Sequence, residues 1–397
     1  MENRLSSRIK SVPESFIRKI LKVSIQPDVI SFAGGHPSAD LFPVTAIQDA
    51  CNKVLDTNGK QALQYAGTEG DQQLRNWIAG RYEEKQGLTV SPENILITNG
   101  SQQALDLIGK VLLNKGESIA IENPGYLGAI QAFSLYQPNM QGVTLHDEGL
   151  DIEQLLGVLK KHQPKCLYTV PDFQNPTGIS YSEENRKAIT EAVKGKNSLI
   201  IQDSPYGELR YKGKDKRSFY ADLPQQTLLL GSFSKIVIPS FRLGWIVAPD
   251  WLIKPLTIAK QAADLHTNFF AQQVIAQYLQ DNSLDAHVES ICQFYGRRQQ
   301  CMLDAIKSCF PTAVTVTRPE GGMFLWATLP AEISAMELFD HALKEKVAFV
   351  PGEPFYVKHS GEQCPQNTLR LSYVTADEAD IQEGIQRLGK SISQLAM

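Results

Sequence analysis

The sequence lacks long hydrophobic runs and any strong excess of charge. No stretch of its 397 residues approaches the roughly 20 apolar residues that a membrane-spanning helix needs. The polar start, MENRLSSRIK, has no apolar core of a signal peptide. The formal net charge is −4, and lysines and arginines are scattered along the chain. We therefore expect a protein that binds neither membranes nor nucleic acids.

Motifs for metal sites and disulfides are also missing. The six cysteines include no CxxC pair, and the seven histidines include no HxxH or HxxxH pair. This spacing matches neither common zinc sites nor a disulfide framework. We predict a cytoplasmic protein with reduced thiols and no metal. The composition, 42% hydrophobic and 21% charged, is that of a globular chain long enough for two domains.

Between residues 94 and 250, short apolar runs alternate with helical segments. The runs NILIT, SIAIE, CLYTV, SLIIQD, TLLLG and GWIVAP lead into polar, glycine-rich or proline-rich residues. This pattern is typical of an α/β fold, in which helices cover both faces of a mostly parallel sheet. Ligands bind beyond the carboxyl ends of such strands. There the sequence places Ser101, Tyr126, Asn175, Asp203, Tyr206 and Lys235.

The C-terminal part of the chain has a different pattern. Helical residues extend to Cys309, and the runs AVTVT, GGMFLWATL, VAFVPG and NTLRLSYV look like strands around a helix near 333–346. This predicts a smaller α+β domain. We predict three parts: an N-terminal segment, a large domain and a small C-terminal domain, over residues 1–45, 46–284 and 285–397.

The segment GSFSKIVIPSFRLGW, residues 231–245, combines a lysine, two hydroxyls and an arginine after an apolar run. A lone lysine is usually a solvated surface charge, but Lys235 follows Ser232 and Ser234 and precedes Arg242. A lysine amine can form a Schiff base with a carbonyl cofactor. Small hydroxyls and an arginine fork suit a phosphate monoester. The segment therefore predicts a phosphorylated cofactor bound covalently to the lysine.

Other polar residues have both an ordinary and a functional interpretation. Asp203 either caps a turn or pairs with a pyridine nitrogen, which makes that ring an electron sink. Tyr206 and Tyr126 either pack as ordinary aromatics or contact the ring, the first as a donor to its phenolic oxygen and the second by stacking. Asn175, in the turn QNPTG, can donate to the same oxygen or to a substrate carboxylate.

Two further residues have the same ambiguity. Ser101, in TNGSQQA, lies where a strand meets a helix. It can be an ordinary N-cap, and the same helix start can also hold a phosphate. Arg370 shares one face of a predicted strand with Thr368 and Ser372. It is either an exposed arginine or a two-pronged clamp for an α-carboxylate.

Together these segments resemble the fold type I, class I/II aminotransferases that use pyridoxal 5′-phosphate, in the subgroup of aminoadipate, kynurenine and aromatic aminotransferases. The shared segments are SFSK with its arginine, QNPTG, DSPYG, NGSQQA, LRLSY, LQYAGTEG and, for the subgroup, ISFAGGHPSADLFP and PESFIRKIL. The resemblance covers essentially the whole chain. It implies two domains, the smaller built from both termini, and a homodimer with shared active sites. It also implies ping-pong transfer of an amino group from an L-amino acid to a 2-oxo acid such as 2-oxoglutarate.

The resemblance assigns roles at the cofactor. Lys235 would form the imine and move protons, and Asp203 would pair with the ring nitrogen. Asn175 and Tyr206 would hold the ring oxygen, while Tyr126 would stack on the ring. The residues assigned to the phosphate are Ser101, Gln102, Ser232, Ser234, Arg242 and, from the other subunit, Tyr65.

It also assigns a substrate pocket. Arg370, with Asn175, would hold the α-carboxylate. Gly34 and Gly35 would let the backbone approach the substrate closely. Two residues of the N-terminal segment would either meet a distal carboxylate or lie on an ordinary surface helix: Ser15 and Arg18.

Three alternatives stay open at this point. The first is a regulator domain that binds the cofactor and senses an amino acid, which would need a DNA-binding module before about residue 11. The second is β-elimination or C–S cleavage on the same scaffold, because the choice of reaction depends on pocket shape. The third is a binding protein without cofactor, which the lysine and aspartate together make a poor expectation.

Overall fold

A computed structural model describes residues 4–10, 12, 20, 28–357 and 364–396. Its helices are α1 (Ser7–Lys10), α2 (Val44–Ala62), α3 (Gln72–Gln86), α4 (Gly100–Leu112), α5 (Leu127–Ser134), α6 (Ile152–His162), α7 (Glu183–Val193), α8 (Asp250–Asp264), α9 (Phe269–Asp281), α10 (Leu284–Cys309), α11 (Ala335–Lys344) and α12 (Glu378–Leu395). Short 3-10 helices cover Ala39–Leu41, Pro92–Asn94, Phe219–Ala221 and Glu353–Phe355. None of the helices described is both long and apolar enough to cross a membrane.

Two main sheets organise the chain. The strands are β1 (Ile30–Ser31), β2 (Ile95–Thr98), β3 (Ser118–Asn123), β4 (Asn139–His146), β5 (Gly149–Leu150), β6 (Cys166–Thr169), β7 (Leu199–Asp203), β8 (Thr227–Ser232), β9 (Gly244–Val247), β10 (Thr315–Val316), β11 (Phe324–Thr328), β12 (Val347–Ala348), β13 (Val350–Pro351) and β14 (Thr368–Ser372). The larger sheet has the order β2-β9-β8-β7-β6-β3-β4-β5. Strands β4, β3, β6, β7 and β8 are parallel, β9 is antiparallel to both neighbours, and β5 is antiparallel to β4. This confirms the predicted α/β class with a mostly parallel sheet.

The larger sheet is buried on both faces. On β3, Ile119 and Ile121 join one hydrophobic cluster, whereas Ala120, between them, joins a second cluster. Leu105 of α4 belongs to the first cluster and Leu155 of α6 belongs to the second. Because successive strand residues point to opposite faces, helices on both sides require the continuous apolar runs seen in the sequence.

The smaller sheet is antiparallel, with the order β10-β11-β14-β13. Its β10 is only two residues long, shorter than the run AVTVT predicts. The run VAFVPG divides into β12 and β13, which join different sheets. Strand β1 pairs in parallel with β12, so segments from both ends of the chain meet here. The domain boundaries at 46 and 285 stay a prediction.

Four parallel strands of the larger sheet end in polar residues at the same edge of the sheet. Strands β3, β6, β7 and β8 are parallel and end at Asn123, Thr169, Asp203 and Ser232. Their carboxyl ends therefore open at the same edge of the sheet. The segments that carry the predicted site residues begin at this edge.

Candidate active site

Lys235 lies three residues beyond β8 and is half-buried. Its Nζ donates a hydrogen bond to the backbone oxygen of Gly35, at 2.8 Å. Burial lowers the pKa of Lys235 to about 8, and the nearby charges of Arg242 and Arg370 act in the same direction. A lysine with a pKa near 8 is partly neutral under physiological conditions and can act as a nucleophile or base. This is not a solvated surface lysine.

Asp203, the last residue of β7, is buried and has two differently placed oxygens. Its Oδ2 accepts a hydrogen bond from the Tyr168 hydroxyl, at 2.8 Å. Its Oδ1 is buried and has no hydrogen-bond partner among the residues that the structure describes. Burial raises the pKa of Asp203 to about 7, while the bond from Tyr168 lowers it. A buried acceptor without a donor fits the protonated nitrogen of a bound ring.

Tyr206, Asn175 and Tyr126 surround the same region. The Asn175 Nδ2 donates to the Tyr206 hydroxyl at 3.4 Å, and both side chains are buried. Burial raises the pKa of Tyr126 to about 12, and the charges of Asp203 and Arg370 also act on this hydroxyl. The tyrosine hydroxyls therefore stay protonated and can donate to an anionic ring oxygen.

A cradle built from an arginine and two hydroxyls lies at the start of α4. Gly100 has φ +72°, and a Cβ added there would lie 2.6 Å from Nη2 of Arg242, so only glycine fits. The Arg242 Nη1 donates to the Ser234 hydroxyl at 3.3 Å, and the Ser234 N–H donates to the Ser232 hydroxyl at 3.1 Å. A helix N-terminus beside an arginine and two hydroxyls suits a phosphate.

The structure corrects one detail of this cradle. Helix α4 begins at Gly100, and its cap position is Asn99, so the prediction of Ser101 as the N-cap is wrong. The positive φ of Gly100 lets the helix begin there, and the Asn99 N–H is held by the Gln103 side chain at 2.8 Å. The Gln102 side chain donates to the Gly128 oxygen at 2.8 Å. The backbone N–H of Gln102 lies in the first turn of α4, where helix N–H groups have no intrahelical partner.

Arg370, in the middle of β14, is only 2% exposed. This rules out the interpretation that it is an exposed arginine on the strand. Its Nη1 donates to the Asn175 Oδ1 at 2.8 Å, and its Nη2 donates to the Ala33 oxygen at 2.7 Å. Its Nε has no partner in the described part of the chain. The guanidinium lies 4.4 Å from the Phe324 ring centre, and burial lowers its pKa to about 10. A buried, protonated guanidinium suits a carboxylate.

The remaining predicted residues fall into three groups. A Cβ at Gly35 would lie 3.2 Å from Phe324, so this glycine allows a close approach, whereas Gly34 has ordinary space. Tyr65 is 79% exposed and contacts His266 edge-on. Two predicted residues lie outside the described residues: Ser15 and Arg18.

Sequence reasoning missed the buried partners behind the site. Tyr168 is one of them, and Glu122 is another. The Glu122 carboxylate accepts from the Val170 N–H at 2.7 Å and from Gln174 Nε2 at 2.9 Å. Gln174 also donates to the Pro124 oxygen at 2.9 Å, so this network joins the segments that carry the aromatic and amide residues of the site. The available signal was a glutamate that ends the apolar run SIAIE.

The residues of this site fit the functional groups of pyridoxal 5′-phosphate, the cofactor that the sequence resemblance implies. The unpartnered oxygen of Asp203 suits its ring nitrogen, and the Gly100 cradle suits its phosphate. A half-buried lysine with a lowered pKa lies among these residues and suits its aldehyde. Each functional group of the cofactor thus has a matching feature in the protein.

Comparison with known proteins gives matches along nearly the whole chain. The family described as aminotransferase class I and II matches residues 27–388. Aromatic-amino-acid aminotransferase 1 of Thermococcus litoralis is 41% identical over 399 residues, covering 99% of this chain and 95% of that protein.

Solved structures agree with the sequence matches. Pyrococcus horikoshii kynurenine aminotransferase, in complex with PMP, KYN and KYA, superposes with a TM-score of 0.94 and 40% identity over 99% of this chain and 98% of that chain. The alpha-aminoadipate aminotransferase of Thermus thermophilus, complexed with N-(5′-phosphopyridoxyl)-L-leucine, gives a TM-score of 0.91 and 38% identity. That match covers 100% of this chain and 98% of the other.

Proposed function

Because this chain belongs to the class I and II aminotransferases and is a transaminase that uses pyridoxal 5′-phosphate, we propose that it acts on L-amino acids with aromatic or aminoadipate-like side chains. The acceptor is a 2-oxo acid such as 2-oxoglutarate, and the two substrates react in turn. The names of the similar enzymes, which act on aromatic amino acids, kynurenine and alpha-aminoadipate, support this substrate class.

One observation carries the proposal. A lysine with a lowered pKa, a buried carboxylate oxygen without a partner and a buried arginine belong to one group of interacting side chains within the described residues. Lys235 and Arg370 are close enough for their charges to interact, and Tyr126 interacts with both Asp203 and Arg370. A transaminase needs three groups together: a base that moves the proton, a carboxylate that supports the electron sink and a cation that binds the α-carboxylate.

The residues around the cofactor hold and orient it. When bound, pyridoxal 5′-phosphate supplies an electron sink for the negative charge that develops at the substrate α-carbon. Asp203 would hold the ring nitrogen through its unpartnered Oδ1, while Asn175 and Tyr206, which lie together, would donate to the ring oxygen. Tyr126 would stack on the ring. The phosphate would be held by the first turn of α4, with Ser101 and Gln102, and by the group that contains Ser232, Ser234 and Arg242.

The residues around the substrate set its orientation and move its proton. Arg370 binds the α-carboxylate through its guanidinium, which Asn175 and the Ala33 oxygen hold in place. The neutral amine of Lys235, available because its pKa is lowered, would take the proton from the substrate α-carbon and hold it for transfer to the cofactor carbon that receives the amino group. Gly35 lies close to the Phe324 ring, and its oxygen accepts from Lys235, so this glycine would border the substrate. It stays a prediction that Ser15 and Arg18 bind a distal carboxylate of the substrate.

Single-turnover chemistry tests the proposed function. We mix the loaded protein with phenylalanine, kynurenine, aminoadipate or glutamate in the absence of an acceptor. We expect one 2-oxo acid per site and loss of the visible absorption band, which 2-oxoglutarate then restores. The measurement is the band together with the oxo-acid yield. With a donor that carries a sulfur leaving group on its β-carbon, release of ammonia and a thiol instead would favour an eliminating lyase, which could use the same residues.

We also propose a homodimer with shared active sites. On α8, Trp251 and Ile258 are seven residues apart and therefore share one face, and they are 54% and 58% exposed. Tyr65, assigned to the partner's phosphate, is exposed beside His266, just beyond the same helix. Exposed apolar side chains in such a row are typical of a protein interface.

A charge placed in this row tests the dimer. We expect Ile258→Asp to shift the protein to monomers in sedimentation equilibrium and to weaken retention of the cofactor, because an unpaired carboxylate at an apolar interface is costly. Leu156→Asp is the matched control, since Leu156 is 46% exposed on a different helix, α6. A dimer that survives Ile258→Asp as well as the control would rule out this face.

A further inference from the structure

The carboxylate of Asp203 accepts a hydrogen bond from Tyr168, a residue to which no role has been assigned so far. We propose that Tyr168 is a positioning residue whose hydroxyl fixes Asp203 with Oδ1 toward the cofactor and keeps the shared proton on the ring nitrogen. This inference rests on the proposed function and deepens it. Its basis is the 2.8 Å hydrogen bond from the Tyr168 hydroxyl to Oδ2, with Oδ1 left unpartnered among the described residues.

Strand register places the two side chains together. Strands β6 and β7 are parallel, and Tyr168 pairs with Ile201. Asp203 follows Ile201 by two residues, so it points to the same face of the sheet as Tyr168. Tyr168 is fully buried, and its ring packs edge-on against Phe133 with centroids 5.9 Å apart. The hydroxyl is therefore held by a rigid strand and a packed ring.

The direction of this hydrogen bond follows from burial. Burial raises the pKa of Tyr168 well above 10, so the phenol donates and the carboxylate accepts. A donor to the ionised carboxylate favours the ionised form. Within the described ranges, Tyr168 is the one hydrogen-bond donor to the Asp203 carboxylate. Loss of this donor leaves burial as the dominant effect, and burial favours neutral Asp203.

The other titratable groups near Asp203 offer it no positive charge. Besides Tyr168, the groups whose pKa the Asp203 charge raises are Tyr82, Glu122, Tyr126 and Tyr206. All are acids, so none of them stabilises the carboxylate by opposite charge. The pKa of Asp203 lies near 7 with burial and the Tyr168 hydrogen bond acting in opposite directions. The hydroxyl can therefore influence where the shared proton lies.

The position of that proton can be measured directly. We prepare the holoenzyme with cofactor labelled with ¹⁵N at the ring nitrogen and record its ¹⁵N chemical shift at neutral pH. In the wild type we expect the value of a protonated ring nitrogen. In Tyr168→Phe, which keeps the ring and its packing, we expect a shift toward the unprotonated value, equal to about a tenfold change in the proton equilibrium. We also expect kcat to fall by about tenfold.

A second tyrosine provides the matched control. Tyr181 is buried, and its hydroxyl donates to the buried Glu122 carboxylate at 2.5 Å. Tyr181→Phe therefore removes the same kind of hydrogen bond from a carboxylate that does not hold the ring. We expect its ¹⁵N shift to match the wild type. A Tyr168→Phe shift that also matched the wild type would overturn the proposal, even if its activity fell.

A third protein covers the case in which Tyr168→Phe fails to fold. Site-specific 3-fluorotyrosine at position 168 keeps the shape and gives a more acidic, stronger donor. We expect its ¹⁵N shift to stay at the value of a protonated ring nitrogen, unlike that of the phenylalanine variant, and movement toward the unprotonated value would count against the proposal. Failure of the proposed function would look different, because the wild type itself would then release no oxo acid, whatever its ¹⁵N shift.

Discussion

Replacement of Lys235 by alanine is expected to abolish amino transfer and to remove the visible band of the bound cofactor. The lysine is proposed both to bind the cofactor covalently and to move the α-proton, and its Nζ lies within the site, where it donates to the Gly35 oxygen. We expect kcat to fall by about 10⁴-fold or more, the upper end of what a positioned acid–base group contributes. The absorption spectrum and single-turnover rate measure both effects.

The control for this prediction is a lysine outside the site. Lys187→Ala removes an exposed lysine on α7 and is expected to keep both the band and the rate. The phosphate cradle is intact in Lys235→Ala, so the cofactor should still bind, without the imine absorption. A variant that retained the imine band would show that another amine carries the cofactor, and the proposed site would be wrong.

Replacement of Arg370 by alanine is expected to weaken transfer from α-amino acids without loss of the visible band. Truncation of one partner of a buried charge pair costs about 2–5 kcal/mol, which corresponds to a loss in kcat/KM of about 30- to 4,000-fold. Arg370→Lys should lose less, because it keeps the charge but cannot bind both carboxylate oxygens in a fork. The measurement is kcat/KM for an aromatic donor with each variant.

Two comparisons separate this clamp from a structural role. Arg298→Lys alters another buried arginine, which donates to the Val374 oxygen and packs over Phe294 at 4.1 Å. We expect its kcat/KM to stay near the wild-type value. An amine that lacks the α-carboxylate should react equally slowly with wild type and Arg370→Ala. An equal loss for both kinds of donor would mean that Arg370 acts through folding.

The sequence predicted the strands best where burial alone defines them. SLIIQD and TLLLG are strands because their residues are buried on both faces, which leaves a local signal. Shorter elements were harder, since two-residue strands such as β10 depend on pairing with distant segments. For the same reason, no local pattern predicted strand β4 or the division of VAFVPG between two sheets. Cytoplasmic location, the absence of a metal and the lack of nucleic-acid binding stay predictions.

By itself, the sequence determined the chemistry that the site carries. Lys235, Asp203 and Arg370 are reactive or charged types in or just after apolar strands, and this local context distinguishes them from surface residues. Only the tertiary structure decided their partners: Tyr168 behind Asp203, Asn175 on Arg370 and the Gly128 oxygen on Gln102. Those contacts join residues 26 to 195 positions apart. Strand register and loop packing bring such residues together, and these depend on the whole fold rather than on any local pattern.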